Sequence, residues 1–122
     1  MNELLEKDEI EIQNMIYEIR GQQVMLDSDL AKLYQCANGT KSINLAVKRH
    51  IKRFPERFMF QLTEEEYNDL RFQVETTNMI RTLPYVFTEQ GVAMLATVLK
   101  NSVAEEVSIA IMDVFISMRH YI

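Results

Sequence analysis

The chain has 122 residues, 48% apolar and 25% charged, which suits one globular domain with its own core and argues against disorder. Three Gly and two Pro favour regular, helix-rich structure, and a single Cys excludes an intramolecular disulfide framework, as in a reducing compartment. The net charge is −5, yet six Lys/Arg and one acid lie between Lys41 and Arg57, a local net of +5 that leaves −10 for the rest. The acidic N-terminus has no apolar run, so no signal peptide is expected. No stretch approaches the roughly 18 apolar residues of a membrane span.

Residues 1–14 carry five acids with mixed apolar spacing and read as an N-terminal arm, a short helix or a dimer contact. Tyr17 and Ile19 alternate with Glu18, and Val24 and Leu26 with Met25, so residues 16–26 read as a β-hairpin turning through Gly21. Asp27-Ser28-Asp29 offers N-cap side chains for a short helix over residues 30–35, with Leu30, Leu33 and Tyr34 buried. Asn38-Gly39 ends that region, since both residues tolerate the left-handed conformation of a helix C-terminus.

Thr40 then caps a helix over residues 41–53, which Pro55 stops. At about 100° per residue, Ile43, Val47, Ile51 and Phe54 share one face, and Lys41, Lys48, Arg49 and Lys52 the other. Two short helices joined by a turn make a helix-turn-helix pattern. Its second helix has the form of a major-groove reading helix; a solvated basic face gives the same charge pattern.

Residues 58–62 read as a strand, followed by a Thr63/Glu66 capping box and a helix over residues 64–74 with Tyr67, Leu70 and Val74 inward. The acids Glu64, Glu65 and Glu66 suit the helix dipole better than a metal ion. Residues 75–83 form a polar loop containing Arg81. A strand over residues 84–87 leads to a helix capped by Thr88 and running to about Lys100, with Val92, Leu95, Ala96 and Leu99 as its core stripe. The last helix, residues 103–121, aligns Val107, Ile111, Val114, Phe115, Met118 and Ile122 on a face for the core or for a dimer seam. The sum is an α+β fold: a helix-rich single domain with a small β-sheet, built from the hairpin plus one or two short strands, and a helix-turn-helix-like pair. Residues 1–15 are expected to form an arm or short helix, and residues 16–122 the domain.

Catalytic chemistry is sparse. The only histidines, His50 and His120, stand without an evident nucleophile, and Cys36 without an activating base. Two His and one Cys give no zinc spacing, and three scattered Gly give neither a phosphate loop nor a dinucleotide fingerprint. Neither an enzyme nor a cofactor is expected.

The runs IYEIRGQQVMLDSDLAKLY, INLAVKRHIKRFPERFMFQLTEEE, LPYVFTEQGVAML and VSIAIMDVF, in that order, resemble the phage antirepressor "open-reading-frame-six N-terminal" domain, a relative of the KilA-N domain. The resemblance covers about residues 16–122. It implies a double-stranded DNA-binding module of a phage- or prophage-encoded transcriptional regulator or antirepressor, acting in the bacterial cytoplasm and often joined to a different C-terminal domain. The basic positions of its VKRHIKRFPERF block are Lys48, Arg49, Lys52, Arg53 and Arg57, and Asn44 holds the Asn position. The turn CANGT is a residue or two longer than usual, and the loop before LPYVFTEQ carries only Arg81.

These readings converge on one candidate interface. Lys48, Arg49, Lys52 and Arg53 are expected mainly on phosphates, Ser42 and Asn44 on base edges, and Lys41 and Arg57 complete the set of DNA-binding residues. Leu45, among the charges, could meet a thymine methyl or a protein partner. The alternative is a protein-interaction module that engages a repressor through the acidic remainder of the surface. A homodimer is a further partner to test.

Overall fold

The computed structural model describes residues 9–74, 82–99 and 101–119. Among them, a helix over residues 9–14 (α1) leads into a hairpin of β1 (Ile16–Ile19) and β2 (Gln22–Leu26). Arg20 (φ 56°) and Gly21 (φ 72°) both take positive φ, the paired left-handed conformation of a type I′ turn, which matches the strand twist. Then follow α2 (Asp27–Leu33), α3 (Thr40–Arg49), a 3-10 turn (Ile51–Arg53), β3 (Met59–Gln61) and α4 (Glu64–Val74). β4 (Tyr85–Thr88), α5 (Glu89–Val98) and α6 (Ala104–Arg119) complete the fold, a helix-rich α+β single domain.

The four strands form an antiparallel sheet in the order β1-β2-β4-β3. Alternation along the strands sends their side chains to two separate cores. Val24, Phe60 and Val86 turn to one face and pack with Leu62, Tyr67 and Leu70, so α4 is the helix that covers that side among the described residues. Met25 and Phe87 turn to the other face, where the remaining helices bury Ile12, Leu30, Tyr34, Ile43, Leu95 and Phe115 among others. With both faces covered, β2 and β4 are buried on both sides at their centres, which explains the unbroken apolar runs Val24-Met25 and Val86-Phe87.

Several expectations hold at the residue level. Thr63 and Glu66 form the reciprocal capping box, with amide-to-side-chain bonds of 2.9 and 3.1 Å. Thr88 caps α5 by accepting from the Gly91 amide at 3.3 Å. In α6, Ile111, Val114 and Phe115 enter the main core, with Val107 and Met118 packed at its edge. Ala96 and Leu99 are only half-buried, and Val98 is buried in their stead. Residues 75–81, most of the expected polar loop, lie outside the described residues, as do the Val74 side chain and Ile122.

Helix boundaries differ in three places. First, α2 starts at Asp27 directly from β2, so the acids sit within its first turn and none of them caps it. Second, it ends on Gln35 (φ 55°) before Asn38-Gly39 is reached: the Cys36 amide donates to Ala31 O at 3.0 Å and the Gln35 amide to Lys32 O at 3.1 Å, a Schellman closure. Third, α3 begins at Thr40 with Gly39 as its N-cap residue and stops at Arg49 instead of running to residue 53. His50 (φ −131°, ψ 38°) breaks it, and the chain continues as the 3-10 turn. That break turns Phe54 into the core, edge-on to Phe87 with ring centroids 6.1 Å apart, and leaves Ile51, expected inside, 56% exposed.

Candidate nucleic-acid interface

The outward face of α3 is set by its inward one. Ile43 and Val47 are buried, so Lys41, Leu45, Lys48 and Arg49 point to solvent, with Ser42 and Asn44 half-buried at the flanks. Leu45 is 45% exposed in the middle of the charges. The structure thus brings Lys41, Ser42, Asn44, Lys48 and Arg49 together on one helix. Lys52 and Arg53 are separated from it by the break at His50 and lie exposed on the 3-10 turn. Arg53 leans toward α5, its guanidinium 3.5 Å from Thr97 Oγ1. Arg57 stands in the loop before β3 with its guanidinium 5.2 Å from the Phe58 ring centroid.

The backbone beneath Arg57 is held firmly. The Thr88 hydroxyl donates to the Arg57 carbonyl at 2.8 Å, and the Thr88 amide donates to the Phe58 carbonyl at 3.0 Å. Gly91 lies so close that a Cβ there would stand 1.9 Å from Phe58 O. A glycine is required at this contact.

Among the described residues, the ion pairs involve Arg20 and Arg119; none includes Lys41, Lys48, Arg49, Lys52, Arg53 or Arg57. Among the described residues, the basic strip therefore presents its charge without a carboxylate partner. The acidic capping residue Glu66 is instead occupied by Arg20, at 2.8 and 3.0 Å. That hydrogen-bonded guanidinium, helped by the Thr63 amide, holds the Glu66 carboxyl down to about 2.

Sequence reasoning missed the part played by Asp27. Its side chain is buried at the start of α2, where one oxygen accepts from the Ser28 amide at 2.8 Å and the other from the Tyr85 amide at 3.2 Å. Burial pushes its carboxyl pKa up, against these two amides and the neighbouring Asn44 side chain, which favour the charged form. Asp27 thereby links α2, β4 and the inner flank of α3. The available signal was an Asp placed directly after a strand, a position that also reads as a cap. A second feature absent from the sequence reading is an open cleft of about 270 Å³ beside α3, lined by Asn44, Val47, Lys48, Ile51, Met59 and Tyr85.

No described group of three or more His, Cys, Asp or Glu side chains is arranged to hold a metal ion. Cys36 is half-buried against the main core, and burial pushes its thiol up, away from the reactive thiolate. No helix among the described residues is long and apolar enough to cross a membrane.

The family model described as the ORF6N domain matches residues 14–98, from the end of α1 to the end of α5. The chain belongs to the ORF6N domain family. That membership makes it a phage-type regulatory domain and agrees with the resemblance carried by the four sequence runs. The ORF6N match takes in the sheet, α2, α3 and the whole basic strip, whereas α6 lies beyond it. No curated protein and no solved structure matches the chain.

Proposed function

We propose that this ORF6N domain binds double-stranded DNA by placing α3 in the major groove. One observation carries the reading: a solvent-facing basic helix whose cations have no described carboxylate partner, on a chain whose remaining residues sum to −10. Association would be steered by that local field in spite of the acidic total. Lys41, Lys48, Arg49, Lys52, Arg53 and Arg57 contact phosphates and fix register. Because the 3-10 turn departs from the helix axis, Lys52 and Arg53 follow the backbone beside the groove while α3 enters it. Ser42 and Asn44 reach base edges, and an Asn carboxamide pairs bidentately with adenine. Asp27 orients Asn44 from behind. Leu45 meets a thymine methyl.

The test is binding of labelled random duplex DNA by the wild type and by the double variant Lys48→Glu/Lys52→Glu. Loss of binding in a variant with unchanged circular dichroism supports the reading. Wild-type affinity retained in the double variant refutes it.

A second reading draws on the outward acids of α4, Glu64, Glu65 and Asp69, all exposed on the layer opposite α3. A repressor's basic DNA-reading surface is the partner such a face would take. Reversal of Lys48 and Lys52 leaves that interaction intact, which separates the two readings.

A further inference from the structure

The expected inward face of α6 is used up by the main core, but the helix is apolar on its other side as well. Ile109 is 64% and Ile116 44% exposed, and half-buried Met112 lies between them. Spacings of three and four residues put the three side chains on one outward stripe, the spacing of a two-helix seam. Across a 16-residue helix this is a continuous apolar strip and not a single scattered residue.

The ends of the strip carry opposite charges. Glu105 opens it in the first turn and Arg119 closes it in the last. We propose that α6 pairs in antiparallel fashion with α6 of a second copy of this chain, about a two-fold axis near Met112. In that arrangement Ile109 faces the partner's Ile116, and Glu105 lies level with the partner's Arg119. Both contacts occur twice, as an isologous interface requires. Arg119 is available for this: its link to Glu89 is a single 3.3 Å contact, and its side chain is 54% exposed. A parallel pair would instead set Glu105 against Glu105 and Arg119 against Arg119. Asp113, outward at mid-helix, meets its own copy beside the axis and limits affinity. A helix of about 24 Å also covers less than the roughly 800 Å² per partner of a standard interface, so the dimer is weak. The inference is independent of the DNA reading, since α6 shares no residue with the basic strip and the proposal is tested without DNA.

Sedimentation equilibrium of the whole chain, from about 10 μM to about 1 mM, tests it. The wild type is expected to dimerise over this range, and Ile109→Glu/Ile116→Glu to remain monomeric with an unchanged melting temperature. Glu105→Arg and Arg119→Glu should each weaken association several-fold, while the double variant Glu105→Arg/Arg119→Glu restores it. A wild type that is monomeric at about 1 mM overturns the proposal. So does a dimer that survives Ile109→Glu/Ile116→Glu, or single charge variants that associate as the wild type does, or a charge-swapped double variant that fails to recover.

Discussion

Gly91→Ala separates tertiary packing from local helix preference, because the two predict opposite signs. Gly91 lies in the first turns of α5, where replacing Gly by Ala in an open helix would gain about 1 kcal/mol. Here the new Cβ would stand 1.9 Å from the Phe58 carbonyl oxygen and 2.8 Å from its carbon, against a tolerable carbon–oxygen approach of about 3.3 Å. Both atoms are backbone, so no rotamer change relieves the clash, and α5 and the chain entering β3 must part by more than 1 Å. That shift stretches the Thr88 amide bond to Phe58 O (3.0 Å) and the Thr88 hydroxyl bond to Arg57 O (2.8 Å). Overpacking costs up to about 3 kcal/mol and the weakened bonds about 1 kcal/mol more; subtracting the propensity gain leaves a loss of roughly 3 kcal/mol. For a domain of this size the melting temperature should fall by roughly 10–15 °C, read by circular dichroism or calorimetry. A melting temperature unchanged or raised would refute the packing argument and leave propensity in control.

Three further outcomes are expected. Tyr34→Phe removes the buried 2.6 Å bond between the Tyr34 and Ser108 hydroxyls and orphans Ser108, at about 1–2 kcal/mol; a denaturant titration showing no loss contradicts the bond's role. Glu66 has a carboxyl lowered from 4.5 to about 2, so its contribution is complete above 4.5 and disappears as pH falls toward 2. Wild type should therefore exceed Glu66→Gln in stability at neutral pH and converge with it across that window, and a constant gap in acid melts rejects the assignment. In a selected DNA site, replacing thymine by uracil should weaken wild-type binding but leave Leu45→Ala indifferent; equal losses in both would remove Leu45 from the base contacts.

Much of the fold was legible where local chemistry and tertiary structure agree. The hairpin turn needs two left-handed residues and has Gly at one of them; the capping residues Thr63, Glu66 and Thr88 satisfy amides within their own helices. The end of α3 was not legible, because RHIKRF keeps helical periodicity up to Pro55. What stops the helix at His50 is the burial of Phe54 against Phe87, a contact between residues far apart in sequence. The same long-range contact decides that Lys52 and Arg53 leave the face of Lys48 and Arg49. Asp27 was misread for a similar reason: one of its two carboxylate oxygens serves β4, which the sequence places 58 residues away. The apolar strip of α6 was hidden behind the stronger inward stripe, since a helix apolar on both sides blurs its own periodicity.

The central claim is that the basic strip around α3 binds DNA through phosphate neutralisation. The most direct test is the salt dependence of wild-type binding to duplex DNA, measured by fluorescence anisotropy. Neutralisation of about six phosphates predicts that log affinity falls with log salt at a slope of roughly −5. A slope near zero, or no binding at low salt, would contradict the account and turn attention to the acidic surface.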